Sequence, residues 1–378
     1  MTKIKLSPFQ MFAITVLYCL GASTILFVAR DAKQDAWIAI LIGGMGAVFI
    51  FRFIYGTFFY LNQEDPTFYD TIERLLGKKL GKALILIYAA YFIFITFFIL
   101  RDIVEITELY ILNRTPRPAI ALVQIIVILY GLQRGIETIF RTAELYLFVV
   151  TLCYVLMVVL LSFSGVLNFS YLQPVLEHGF GPILKTAPVL FLFIPFGELV
   201  VFLALFPLLK DHKKGIRAGT IGLYTVILIT LLITIFLIAV LGPYLARNIT
   251  FPVVVLIRFI NVGEFIQRLD ALLILIFLTG STFQILVLSK VAVQHIKVVT
   301  NIDNQLLLSL LVVIAIYFGA FVIGNSRLEY LNLGTKIFTF YISSILELGI
   351  PLILLILSYY HRRKRRKDPL KEEGTTDS

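Results

Sequence analysis

Charge is what this sequence has least of. Only 15% of its 378 residues are Asp, Glu, Lys or Arg, against about 25% in a soluble domain. No polar block is long enough to form a separate soluble domain. With 59% hydrophobic residues and a mean hydropathy of +0.95, the chain is expected to be an all-α polytopic membrane protein. Cysteine is nearly absent as well. Cys19 and Cys153 lie in apolar runs without metal-ligand spacing, which excludes a disulfide framework and a redox site. No nucleotide loop, metal quartet or nucleophile–base pair stands at a recognisable spacing, so nothing points to an enzyme and no cofactor is expected. The first apolar run carries a glycine break and polar residues and lacks a small-residue cleavage pattern, so it reads as a span rather than a cleavable signal.

The charge that is present is unevenly placed. A net charge of +10 suggests nucleic acid, but the cations sit at membrane flanks. His361-Arg362-Arg363-Lys364-Arg365-Arg366-Lys367 follows the last apolar run directly, as a cytoplasmic flank does. The partner this implies is the lipid bilayer, whose anionic headgroups the tail can touch, and not nucleic acid.

Ten spans can be drawn, each near the roughly 20 residues that a bilayer core demands. The first five run from about 9 to 28, 37 to 60, 84 to 112, 119 to 132 and 144 to 163. Residues 67–82 form an amphipathic interfacial helix between the second and third, and the fourth continues as a polar helical stretch through Arg134, Glu137 and Arg141. A linker over 164–187 marks the middle. The last five run from 188 to 209, 216 to 241, 271 to 296, 306 to 323 and 337 to 360, with a partly polar helical segment over 251–267 and a basic then polar tail over 361–378. With the amino terminus inside, 21 Lys and Arg fall on the inner side, 11 on the outer side, and Arg52 within span two. That bias places both termini in the cytoplasm.

Spans one and six are both interrupted, at Gly21-Ala22-Ser23-Thr24 and at Pro195-Phe196-Gly197-Glu198. Proline removes a backbone donor and glycine eases departure from helical geometry, and broken backbone at membrane depth needs protein or water to satisfy it. Five spans per half is odd, so the second half (188–360) is inverted relative to the first (1–163). Interrupted helices at matching positions of inverted halves point to a midplane binding site. The expected fold is a five-plus-five inverted repeat of the LeuT and amino-acid permease kind.

Free N–H groups at a broken helix suit a carboxylate, and the opposing carbonyls suit an ammonium or small cation. A zwitterionic amino acid fits between Gly21, Ala22, Ser23 and Thr24 on one side and Pro195, Phe196 and Gly197 on the other; alone, Gly21-Ala22-Ser23 would equally serve close helix packing. Glu198 can bind an amine, exchange a proton or hydrogen-bond the unwound part of span one. Thr279, Ser281 and Thr282 of span eight can ligand a sodium ion or back-bond to their own helix. Span five carries no lysine, which argues against simple proton symport. In span three, Arg101 and Glu105 stand four apart and can face each other, and Glu105 is the acid placed to line an outer aqueous path. Arg52 and Glu347, within spans two and ten, are paired or snorkelling.

Leu6-Ser7-Pro8-Phe9-Gln10, Asp35-Ala36-Trp37, Leu100-Arg101-Asp102-Ile103-Val104-Glu105, Thr115-Pro116, the run from Arg134 to Arg141, and Pro195-Phe196-Gly197-Glu198 occur in this order. In them the sequence resembles the B-subunit family of endospore germinant receptors, permease-like proteins of the amino acid–polyamine–organocation superfamily. The resemblance covers roughly residues 5–360. It implies nutrient sensing in the inner membrane of a dormant bacterial spore, assembly with an A-type membrane subunit and a C-type lipoprotein, and binding of a small nutrient such as an amino acid in a transporter-like pocket. A working proton- or sodium-coupled permease, or a structural or channel-forming subunit with a vestigial pocket, would suit the same fold.

Overall fold

Apolar runs of about 20 residues satisfy their backbone within lipid by folding into helices. The computed structural model describes residues 5–23, 25–259, 269–324 and 326–367, and these are almost entirely helical. The first helix, α1 (Pro8–Ser23), opens with a capping box. Ser7 Oγ accepts from the Gln10 N–H at 3.1 Å while Gln10 Oε1 accepts from the Ser7 N–H at 2.9 Å. Then come α2 (36–61), which widens into π turns over Ile50–Tyr55, α3 (Phe68–Leu76), α4 (Lys78–Tyr110), α5 (Arg117–Arg134) and α6 (Ile136–Phe163).

The second half brings α7 (Gly181–Leu192), α8 (Leu199–Leu208, wound tightly as 3-10 turns), α9 (His212–Asn248) and α10 (Pro252–Arg258). After these follow α11 (Leu269–Thr300), α12 (Gln305–Val322) and α13 (327–367), which carries π turns over Leu333–Gly349.

Eight of these helices are long and apolar enough to cross a membrane. The other two crossings are assembled from shorter pieces. One is α1 with the irregular segment over 25–29 that follows it; the other is α7, a non-helical stretch over 193–198, and α8. The two incomplete helices are therefore spans one and six. Each half also carries a short helix between its second and third spans, α3 in the first and α10 in the second. The order repeats, and the odd span count inverts it. The result is ten spans in a five-plus-five inverted repeat.

Some boundaries differ from the sequence reading. The polar stretch from Arg134 to Arg141 does not continue span four. Gly135, at φ 88°, ends α5 in a conformation that favours glycine, and Glu137 and Arg141 open α6, paired at 2.6 Å. The sixth span starts at Gly181, not Pro188. Pro182 sits in its first turn, where a missing N–H costs nothing, and Pro188 is carried inside the helix. The segment expected over 251–267 is helical from Pro252 to Arg258, and residues 260–268 lie outside the described residues. The last helix runs past Tyr360 to Lys367, and the polar end of the tail, 368–378, lies outside the described residues.

At the centre, α1 packs against α6, α9 and α11, while α4 packs against α11 and α12. The rim is α5 and α6, where Leu145, Phe148 and Phe163 are exposed as a lipid-facing surface requires. Both ends of the chain come to one face. Leu6 bridges Leu209 just before α9, and Asn62, at the end of α2, donates to Ser358 Oγ of α13 at 2.9 Å.

Candidate ligand-binding site

Span six breaks because three residues cannot continue a helix together. Pro195 lacks a donor and Gly197 closes the turn. A Cβ on Gly197 would stand 2.2 Å from the Phe193 nitrogen, so only glycine fits. Glu198 then adopts φ 63°, a left-handed conformation sparsely populated by residues with a side chain. Such outliers persist where the surroundings hold them, and here they do.

The polar groups freed by the break are taken up by three other spans. Tyr18 of α1 donates its hydroxyl to the Glu198 carbonyl at 3.1 Å. Gln284 of α11 donates Nε2 to Glu198 Oε2 at 2.8 Å. The Val200 N–H, free at the start of α8, donates to Glu347 Oε2 of α13 at 3.1 Å. Glu347 is held in turn by Tyr91 of α4, which donates to Oε1 at 2.9 Å, and by Tyr55 of α2, whose hydroxyl lies 2.6 Å from the Glu347 carbonyl and 3.0 Å from Oε2. Both carboxyls are 2% exposed. Neither enters an ion pair among the described residues; their neighbours are hydroxyl and amide donors. A buried carboxyl is tolerated when its lone pairs are met this way.

Above the break, on the face opposite the chain ends, lies a cavity of about 70 Å³. Leu26, Phe27 and Val28, which follow the end of α1, form one wall. Phe193 and Ile194 of the span-six break form another, and Thr335 and Arg327 of α13 close it. Arg327 belongs to an ionic cluster at that rim. Its Nη1 meets Glu105 Oε2 at 2.5 Å and Asp102 Oδ1 at 3.4 Å, and its guanidinium lies 4.4 Å over the Phe251 ring. Tyr330 also donates to Asp102. The three charged side chains are 16%, 15% and 7% exposed for Arg327, Glu105 and Asp102. The cluster ties α4 to α13 and to the segment before α10.

The structure brings together some of the expected site residues and separates others. Pro195, Phe196, Gly197 and Glu198 form the buried break. Gly21 and Ser281 meet it where α1 crosses α11: a Cβ on Gly21 would lie 3.1 Å from Ser281 Oγ and 3.3 Å from Gln284 Oε1, and one on Gly280 would lie 3.2 Å from the Gly21 Cα. Helix α1 continues through Ala22 and Ser23, and Thr24 lies outside the described residues. Thr279 bonds back to the Leu275 carbonyl at 2.7 Å. Thr282 bonds back to Leu278 and accepts from Gln124 of α5 at 2.6 Å, on the side facing span four. Glu105 pairs with Arg327 instead of Arg101. Arg52 is not the partner of Glu347; that place belongs to Tyr55, three residues on.

Gln284, Tyr18, Tyr55 and Tyr91 were not singled out as site residues. Gln284 was within reach of helical periodicity, since it stands three residues from Ser281 on the same face. The tyrosines were hidden by abundance, among 18 in the chain.

A family model described as spore germination protein matches residues 5–327. Spore germination protein KB of Bacillus subtilis (strain 168) is 29% identical over 372 residues, covering 98% of this chain and 99% of that protein. Spore germination protein A2 of the same organism is 24% identical over 323 residues, covering 84% and 87%. Among solved structures, Mhp1, a nucleobase-cation-symport-1 family transporter in a closed conformation with bromovinylhydantoin bound, superposes with a TM-score of 0.68. The match covers 96% of this chain and 80% of that one at 14% identity, which is a likeness of fold.

Proposed function

As the chain belongs to the spore germination protein family, we propose that it is the nutrient-sensing subunit of a germinant receptor, binding a small nutrient at the meeting of its two broken helices. The nutrient class is an amino acid. The observation that carries this reading is the cavity walled by both interruptions, with the buried Glu198–Gln284 pair beneath it. Of the residues expected to hold the nutrient, Pro195, Phe196 and Gly197 form the span-six break next to the cavity wall, and Gly21 lies against Ser281 where α1 crosses α11. Thr279 and Thr282 are the weaker members, because their hydroxyls are already bonded to their own helix. Glu105 acts at the rim, through Arg327.

Binding biases an equilibrium between two packings of the halves, 1–163 and 188–360, by its differential affinity for them. The signal passes to an A-type membrane subunit and a C-type lipoprotein in the spore inner membrane, with both termini in the cytoplasm. The test is direct binding of labelled amino acids to the purified receptor complex, set beside uptake by proteoliposomes. Saturable binding without accumulation is expected. A coupled permease is the second reading, favoured by the likeness to a transporter solved with a ligand bound. Gradient-driven accumulation of the bound nutrient would promote it over the first.

A further inference from the structure

On the face that carries both chain ends, an open groove of about 320 Å³ lies between α2 and the start of α9. Arg52, Lys213, Lys214 and Arg217 line it together with Tyr60. The ion pair that these four cations make among the described residues is Lys214 with Asp211, at 3.6 Å. That carboxylate is already engaged as the cap of α9, accepting from the Lys214 N–H at 3.0 Å. The groove therefore holds a surplus of positive charge from two separate elements.

Positive residues at the ends of spans are ordinary topology signals, but Arg52 is not at an end. It lies in the π turns of α2, about two turns before the helix finishes at Leu61. Phe49 and Phe53 on either side of it are exposed, at 58% and 59%, and so face lipid. Arg217 begins a stripe on α9 that continues through Ile221, Tyr224 and Leu228, all exposed and spaced to share one helical face. Two apolar ridges thus rise into the membrane from a basic pocket at its surface. Arg52 bonds no carboxylate among the described residues, and from two turns inside the helix end its long side chain reaches the groove, where its charge is available to an anion.

We propose that this groove is a binding site for one anionic phospholipid. Its phosphate sits among Arg52, Lys213, Lys214 and Arg217, and an acyl chain lies between the exposed ridges of α2 and α9. A free phosphate shares the headgroup chemistry but leaves the ridges and the depth of Arg52 unused, so the site is assigned to the lipid. Such pockets recognise charge density and not headgroup stereochemistry, and each cation near the surface contributes about a fivefold gain in affinity.

The test is native mass spectrometry of the full chain in detergent, titrated with phosphatidylglycerol or with phosphatidylcholine of the same acyl chains. The expected result is retention of one phosphatidylglycerol, several-fold preferred over phosphatidylcholine and unaffected by millimolar inorganic phosphate. Arg52→Gln with Arg217→Gln should lower retention about 25-fold, two cations at about fivefold each, while Arg52→Lys with Arg217→Lys keeps the preference. Lys213→Gln with Lys214→Gln, at exposed positions that folding does not depend on, should lower it similarly. Equal retention of the two lipids, an undiminished preference in the Gln variants, loss of preference in the Lys variant, or displacement of the lipid by inorganic phosphate would each overturn the assignment.

Discussion

Glu198 meets two spans through different atoms, and this makes its roles separable. Its carbonyl takes the Tyr18 hydroxyl and its carboxyl takes the Gln284 amide, so a side-chain change leaves the first link in place. Glu198→Gln keeps size and deletes charge. A glutamine can still accept from Gln284, so the variant removes only the extra strength of a bond to a charged group, roughly 1–1.5 kcal/mol, and the nutrient dose response of spores carrying it should move about fivefold to tenfold to the right. An unshifted response would make this carboxyl structural only. Gly21 makes the opposite case. Its Cα lies against Gly280, and even a methyl group there meets Ser281 at 3.1 Å. Gly21→Leu should therefore abolish the response by forcing α1 and α11 apart, at a cost of roughly 1–3 kcal/mol for overpacking, read as a lowered melting temperature of the purified protein. Loss of response with unchanged melting would instead place the nutrient at Gly21 itself. The sequence marked both residues and left more than one reason open for each, since a helix crossing and an unwound turn call for the same glycine.

At the scale of elements, the interruptions were legible because proline and glycine act locally, whereas partnerships between elements were not. Pro195 and Gly197 announce a break wherever they fall. Nothing local announces that Arg327, more than two hundred residues away, will neutralise Glu105 in place of the nearby Arg101. The start of span six was misplaced by the same limit in reverse, for Pro188 looks like a boundary although Gly181-Pro182 supplies a better one. The ionic cluster gives the element-scale prediction. Arg327→Gln leaves two largely buried carboxyls without a cation, a loss of about 3–5 kcal/mol for a broken buried pair, and should free α13 from α4 at the rim. A cysteine at Thr335, on the cavity wall, should then react with a water-soluble maleimide in Arg327→Gln and stay protected in the parent. Glu105→Gln should give intermediate labelling, because Asp102 and the Phe251 ring still hold the guanidinium. Equal labelling in all three would mean that the cluster does not close the cavity.

For the whole molecule, the inverted repeat was readable from parity and from two matched interruptions, and the charge count adds a direction. Ten crossings return the chain to the face it left, and Leu6, Leu209, Asn62 and Ser358 do lie toward one face. Geometry alone is indifferent to which side of a bilayer that is. The distribution of 21 against 11 basic residues is not indifferent, since Lys and Arg are retained on the cytoplasmic side during insertion. A cysteine at Lys364, near the end of α13, should resist a membrane-impermeant maleimide in intact cells and react after permeabilisation. One at Arg114, in the turn between α4 and α5, should react at once. Cys19 is buried and Cys153 partly so, and a variant with both replaced by alanine removes their background. The Arg327 cluster shares the Arg114 face, so this outcome would put it between the cavity and the exterior, where an arriving nutrient would meet it first. The reverse labelling pattern would put the cluster on the cytoplasmic side, and an external nutrient would then have to reach the site through the face that carries the chain ends.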